Sequence, residues 1–293
     1  MSWRTVYISN HCKLEYRMGY MVIRTKDIKR IHISEIGTLL IDSTAVSMTT
    51  SLINELIKSK VKLVFCDEAH NPSGELVAYY GAYDSSRALR KQLSWSEEIK
   101  GKLWQAIVRD KILKQSQLLS RRNLLSEAEL LKSYIPFVEP GDESNREGHA
   151  AKVYFNIIFG QDFVRHEDGI INAALDYGYS LLLSSFNKEV VAKGRLTQLG
   201  IWHDNTYNYF NLSSDLMEAF RPLIDNYILN MEFEDGAELT VDDKINLVGV
   251  LESEVMINGR IFKLPDAIKL YVNEIIKVLD KEDMAYMPVI TYG

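Results

Sequence analysis

Lys13-Leu14-Glu15-Tyr16-Arg17-Met18 places an apolar side chain at every second position. A period of two belongs to a half-buried β-strand, whose successive side chains point to opposite faces. Strand-like runs recur at residues 4–8, 21–25, 38–41, 61–66 and 75–80. One amphipathic helix interrupts them, with Leu52, Ile53, Leu56 and Ile57 on one face and Thr49, Thr50 and Ser51 as cap candidates. Short strands a few residues apart around a single helix predict a small twisted sheet or sandwich. This region offers no catalytic constellation, so the expected role of residues 1–81 is oligomerisation.

Beyond Gly81 the pattern becomes helical and stays so to about Asp283. Leu103, Ile107 and Ile112/Leu113 trace one stripe, while Ala173, Ala174 and Leu181, Leu182 and Leu183 mark a helix buried nearly all round. Gly178, between Tyr177 and Tyr179, is the expected contact point of two close helices. The predicted fold class is therefore α+β: a small β-rich amino-terminal domain followed by a larger all-α catalytic domain over residues 82–293. Residues 229–283 hold thirteen Asp/Glu against six Lys/Arg. Their apolar periodicity predicts a folded surface for a protein partner or dimer contact.

The chain has 293 residues, 46% of them hydrophobic, enough for a substantial core in one or two domains. No apolar run approaches the ~18 residues that span a bilayer, and Met1-Ser2-Trp3-Arg4 has no signal-peptide character. Cys12 and Cys66 have no metal-ligand spacing and read as reduced thiols. A cytoplasmic protein with no membrane association is expected.

Four polar residues on three segments stand out: Glu147, His203, and the pair Asp215 and Glu218. Asp215 and Glu218 are spaced i, i+3, which puts both carboxylates on one helix face. An imidazole and several carboxylates suit a divalent cation such as Mg²⁺ or Mn²⁺. Each residue also has an ordinary reading. Ser144-x-x-Glu147 matches a capping box, Asp215 follows Ser213-Ser214 as a first-turn acid would, and His203 can be merely solvated. Spacing alone leaves the metal and capping readings evenly balanced.

Four ordered motifs tip that balance. Asn145-Arg146-Glu147-Gly148-His149-Ala150-Ala151-x-x-Tyr154-Phe155, Asn172-x-x-Leu175-x-Tyr177-Gly178-Tyr179, Gln198-x-Gly200-x-x-His203 and Asp215-Leu216-Met217-Glu218-x-Phe220-Arg221-Pro222 resemble the signatures of the CRISPR-associated spacer integrases, the "Cas-one" family. Asp84-Ser85-Ser86 and Lys91-Gln92-Leu93-Ser94-Trp95-Ser96-Glu97 look like its type II-A subgroup. The resemblance implies that Glu147, His203 and Glu218 ligate Mg²⁺ or Mn²⁺, with Asp215 as an accessory catalytic acid. It also implies a DNA endonuclease and integrase, in which the 3′-hydroxyl of a captured fragment attacks the leader–repeat boundary of a CRISPR array. The implied partners are DNA, a second copy of the chain, a small second adaptation protein ("Cas-two") bridging two dimers, and other type II-A components. Two rivals remain: a stand-alone metal-dependent nuclease on branched DNA, and a non-enzymatic DNA-capturing subunit whose acids only cap helices.

The net charge of −6 opposes DNA binding, but its distribution does not. Residues 84–122 carry ten Lys/Arg against four Asp/Glu, a net +6 that leaves −12 on the remainder. With a metal site nearby, this segment becomes a candidate phosphate-tracking surface, and Arg87, Arg90 and Lys91 are its expected DNA contacts. Arg146 is placed to meet phosphate or to form a structural ion pair. His149 points ~200° away from Glu147 around the helix, and reads as a packing or DNA-facing residue.

Overall fold

The computed structural model describes residues 4–68, 70–78, 84–233 and 238–292. The chain divides into two compact units, Met1–Tyr79 and Tyr80–Gly293. Gly81, the expected boundary, lies outside the described residues.

The first unit runs β1 (Arg4–Ile8), β2 (Lys13–Arg17), β3 (Tyr20–Arg24), β4 (Ile28–His32), β5 (Ile36–Ile41), β6 (Ser47–Met48), α1 (Thr50–Lys58), β7 (Lys62–Cys66) and β8 (Pro72–Leu76). They form two four-stranded sheets, ordered β1-β5-β7-β8 and β4-β3-β2-β6. In the first, β1, β5 and β7 are parallel and β8 is antiparallel. One core joins both sheets to α1, with Val6, Leu14, Met21, Ile36, Leu39, Leu52, Leu56 and Leu63 among its members. The alternation read at residues 13–18 is the register of β2, where Leu14 is fully buried and Lys13 exposed. Thr49 caps α1 by accepting from the Leu52 amide. The run expected at residues 75–80 coincides with only the end of β8, and residues 79 and 80 lie outside the described part.

The second unit is mostly helical: α2 (Ser85–Leu93), α3 (Glu97–Arg121), α4 (Leu125–Lys132), α5 (Arg146–Phe159), α6 (Ile170–Ala192), α7 (Asn211–Met217), α8 (Arg221–Ile228) and α9 (Val241–Val248). A hairpin of β9 (Glu254–Ile257) and β10 (Arg260–Lys263), α10 (Leu264–Lys281) and β11 (Ile290–Tyr292) complete it. β9 is the centre of a three-stranded antiparallel sheet, an addition to the all-α domain expected over this region.

Long α6 is buried on most of its circumference, as its continuous apolar run requires. A Cβ on Gly178 would stand 2.6 Å from Ile224 Cγ2, so the absent side chain is what lets α6 approach α8. Pro222 lies in the first turn of α8, where its missing N–H costs nothing. The helical run from Asp215 therefore breaks into a short 3-10 turn, Glu218–Phe220, before restarting at Arg221. Among the described residues no helix is long and apolar enough to cross a membrane.

Candidate active site

Glu147 sits in the first turn of α5, and its amide is held from outside the helix. Asp142, itself buried, accepts from the backbone N–H groups of Arg146 (2.9 Å) and Glu147 (2.8 Å). Asn145 is the N-cap and accepts from the Gly148 amide. The capping box that the Ser144-x-x-Glu147 spacing allowed as the rival reading is not formed: Asp142 and Asn145 take the amides instead, and the Glu147 side chain points to other work.

That side chain meets an ammonium. Lys111 Nζ, on α3, donates to Glu147 Oε1 and to Glu218 Oε2, the latter at 2.5 Å. Arg221 Nε donates to the other oxygen of Glu218 at 2.8 Å, and its guanidinium lies 4.5 Å from the centre of the Tyr179 ring. Burial alone would raise the Glu218 carboxyl, but Arg221 and Lys111 outweigh it and hold the group down at about 2. Burial likewise opposes charge on Lys111, yet Glu147 and Glu218 keep its pKa above the ordinary lysine value. Two carboxylates from separate helical segments converge here on one cation.

His203 lies in the loop before α7, and Asp215 positions it. Asp215 is fully buried. Its Oδ2 accepts from the backbone N–H of Ile201 (2.5 Å) and Trp202 (3.0 Å), and its Oδ1 accepts from the His203 N–H (3.1 Å). Oδ1 also lies 2.5 Å from His203 Nδ1. A carboxylate oxygen already taking backbone donors fixes the tautomer: Nδ1 carries the proton and Nε2 presents a lone pair. The Asp215 hydrogen bond, against the pull of burial, raises the His203 pKa above the usual histidine value. A Cβ on Gly200 would fall 2.3 Å from the His203 carbonyl oxygen and 2.8 Å from Asp215 Oδ2, so only glycine lets the loop wrap this closely. Asp215 is therefore no first-turn dipole acid, and the capping reading fails for it as for Glu147.

The four expected residues fall into two adjoining pairs, Glu147 with Glu218 around Lys111, and His203 with Asp215. Glu218 is near enough to His203 for each charge to shift the other. Among the described residues no three His, Cys, Asp or Glu side chains close on a single point. The donor chemistry nonetheless fits a divalent ion. Two carboxylates already bracket a cation, and an imidazole beside them is oriented by a buried carboxylate, the arrangement that supports metal-bound histidines.

Lys111, one of the ten basic residues of the candidate phosphate-tracking segment, is instead buried in the site. Lys111 falls at helical spacing from Trp104, Ile107, Val108, Gln115 and Leu118, which are buried with Leu103 and Ile112 along α3, and that period is the sequence signal for it; Leu113, placed on the apolar stripe from the sequence, is exposed. Lys114 is buried and paired with Asp110, and Arg109 donates to the Val138 carbonyl (2.8 Å). Residues 84–122 therefore do not form one continuous basic face. Arg87 and Arg90 are exposed on α2, and Lys91 is half-buried there. The Arg146 guanidinium lies 5.7 Å from the centre of the Phe137 ring, and His149 is exposed.

An amino-terminal sandwich followed by a mostly helical unit is also the fold of a casposase solved with its integration product. The two align with a TM-score of 0.78 at 19% identity, over 97% of this chain and 92% of that one. A chain of a Cas6-RT-Cas1–Cas2 complex aligns at 0.74 and 18% identity, over 97% of this chain and 36% of that one. In sequence, residues 6–234 match the family described as CRISPR associated protein Cas1. The CRISPR-associated endonuclease Cas1 of Neisseria meningitidis is 32% identical over 277 residues, covering 93% of this chain and 91% of that protein. The chain belongs to the Cas1 family.

Proposed function

We propose that the protein is a metal-dependent DNA endonuclease and integrase of CRISPR adaptation. It joins the 3′-hydroxyl of a short captured DNA to a strand of the CRISPR array at the leader–repeat boundary. The observation that carries this reading is the convergence of Glu147 and Glu218 on one cation, with His203 held beside them by Asp215. Two relatives support it: the Neisseria protein is named an endonuclease, and the casposase was solved bound to an integration product.

Glu147, Glu218 and His203 Nε2 would hold Mg²⁺ or Mn²⁺. When bound, the ion supplies Lewis-acid polarisation of the phosphate and offsets charge developing on its oxygens. Asp215 keeps the His203 proton on Nδ1. Lys111, together with Arg221 on Glu218, balances the two carboxylates in the resting site and so offsets their mutual repulsion. Arg221 anchors Glu218 and adds positive charge where phosphate negative charge must be accommodated. The attacking oxygen comes from DNA, and the phosphorus–oxygen bond to the displaced strand end breaks as the new one forms.

The amino-terminal sandwich serves as the dimerisation platform, and a Cas2 protein bridges two such dimers. The presence of Cas1 and Cas2 together in the Cas6-RT-Cas1–Cas2 complex supports that partnership. The test is integration of a labelled DNA fragment into a repeat-containing plasmid, with Mg²⁺, Mn²⁺ or a chelator, with and without Cas2. Covalent joining that needs the divalent ion supports the proposal. Cleavage of branched DNA with no joining would transfer support to the stand-alone nuclease.

A further inference from the structure

Asp225, fully buried on α8, accepts from two hydroxyls, Tyr154 of α5 at 3.0 Å and Tyr179 of α6 at 2.5 Å. Tyr154 lies about two turns along α5 from Glu147, and Asp225 about one turn along α8 from Arg221. One carboxylate therefore joins the helix that carries Glu147 to the helix that opens at Arg221. Tyr179 is the third leg, and its ring meets the Arg221 guanidinium, with Cζ 4.5 Å from the ring centre. Gly178 permits that meeting, since it lets α6 close on Ile224 of α8. Arg165 lies against the same ring at 5.6 Å, held by Asn172 Oδ1 (2.5 Å) and Asp176 Oδ1 (2.7 Å). Arg221 uses Nε on Glu218 Oε1. Its Nη1 and Nη2 donate to no protein group among the described residues, yet neither is a buried orphan, and 26% of the side chain is exposed. A guanidinium tied at one nitrogen and one face keeps two parallel N–H donors, the fork that suits a phosphate.

We infer that Tyr179 is a positioning residue of strand transfer: its ring, fixed by Asp225, holds the plane of Arg221 so that Nη1 and Nη2 face the phosphate under attack. The inference rests on the integrase reading and names what orients one cation of that site. The Nε bond to Glu218 is a single point about which the guanidinium is free to turn. A ring face beneath it removes that freedom, because the π-electrons attract the cation face-on. A fork set in place before the substrate arrives stabilises charge on the phosphate oxygens with no reorganisation during the reaction. Tyr179 itself touches neither metal nor DNA and acts only through Arg221.

The experiment uses the full chain with Cas2 and Mg²⁺ and reads the single-turnover rate of joining a labelled DNA fragment. Position 179 is replaced by Phe, and then by phenylalanines carrying one, two and three ring fluorines, which keep nearly the same shape while the π-electron density falls. Tyr179→Phe keeps the ring and should keep the rate within about threefold, and the fluorinated series should lower it stepwise to about a tenth, the scale of one desolvated cation–π contact. DNA affinity in chelator and the rise in Tm on adding Mg²⁺ should stay constant along the series, since neither needs the fork in place. A ring that served packing alone would leave the joining rate indifferent to fluorine. A flat rate across the series therefore overturns the inference, and so does a loss that DNA affinity shares in full. The same series in an Arg165→Ala background should show the same trend; a trend that vanishes there assigns the ring to Arg165 and also overturns it. The integrase reading fails by a different result, wild-type protein that binds the DNA and joins none, and the inference falls with it.

Discussion

Asp215 Oδ1 and His203 Nδ1 stand 2.5 Å apart, and the same carboxylate takes the backbone N–H groups of residues 201, 202 and 203. One buried side chain thus sets both the path of the loop and the tautomer of its imidazole. An accessory acid would be a dispensable one, and this geometry argues otherwise. Asp215→Ala should leave the backbone N–H groups of residues 201, 202 and 203 without this acceptor, at about 1–3 kcal/mol for the buried one before relaxation and less for the two part-buried ones. The expected outcome is a lower denaturation midpoint together with loss of strand transfer. Wild-type stability in that variant would show that the loop finds other acceptors.

Lys111 supplies the sharpest test of the carboxylate pair. Lys111→Met removes the cation between Glu147 and Glu218 and leaves the buried Glu218 beside the half-buried Glu147 with Lys111 no longer compensating either. Removing one partner of a buried ion pair costs about 3–5 kcal/mol. A divalent ion that binds between the two carboxylates should restore stability, and more in the variant than in wild type, because Lys111 no longer competes. Thermal melting across a Mg²⁺ or Mn²⁺ titration measures this difference. An equal or absent metal response in the two proteins would place the ion elsewhere. Glu147→Ala, Glu218→Ala and His203→Ala should each abolish joining while leaving the fold intact by circular dichroism.

Much of the fold and site is legible in the chain because the relevant signals are local. Period-two alternation locates β2, and the Asp215-x-x-Glu218 motif marks two acids of the site, although α7 ends at Met217 and a 3-10 turn begins at Glu218. Gly200 and Gly178 stand inside the motifs that need them. What escapes a sequence reading is decided by tertiary environment. β4 reads Ile28-Lys29-Arg30-Ile31-His32 and is an exposed edge strand, so its side chains carry little apolar alternation. β9 and β11 are short and pair across α10, a contact no local pattern encodes. Counting the charge of Lys111 without its phase on the buried stripe of α3 puts it on the wrong surface. Ser144 has the spacing of a cap to Glu147, whereas the loop folds back to offer Asp142 instead.

Asp225 gives a pH prediction of definite sign. It is buried on α8 and accepts from the Tyr154 and Tyr179 hydroxyls at 3.0 and 2.5 Å. Burial outweighs these hydrogen bonds and pushes its pKa up to about 6. An unfolded aspartate titrates near 3.9, at about pH 4, so the folded state holds this proton more tightly. Its contribution to stability is full below that value and is lost as pH rises through about 6. Asp225→Asn cannot lose the proton. The melting temperature of the variant relative to wild type should therefore climb between about pH 4 and pH 7. A difference that is flat with pH would mean that Asp225 titrates alike in both states.

The last prediction concerns how an acidic protein grips DNA. With Lys111 and Lys114 buried and Arg109 bound to a carbonyl, fewer cations of residues 84–122 can meet phosphate than their number suggests. Arg87, Arg90 and Lys91 remain near the surface of α2, and Gln92 on the same helix ties it to the loop that carries His203. Arg87 also pairs with Asp84, an exposed contact that phosphate can replace at little cost. Each phosphate contact contributes about −0.9 to the slope of log affinity against log salt. Replacing all three by Ala should flatten that slope by up to about 2.7, equally for unrelated sequences, since backbone contacts carry no base information. Metal-induced stabilisation should not change, because none of the three touches the carboxylates. A triple variant that keeps the full slope would move the DNA surface off α2, and Arg121 and Arg122 at the far end of α3 would be the next cations to replace.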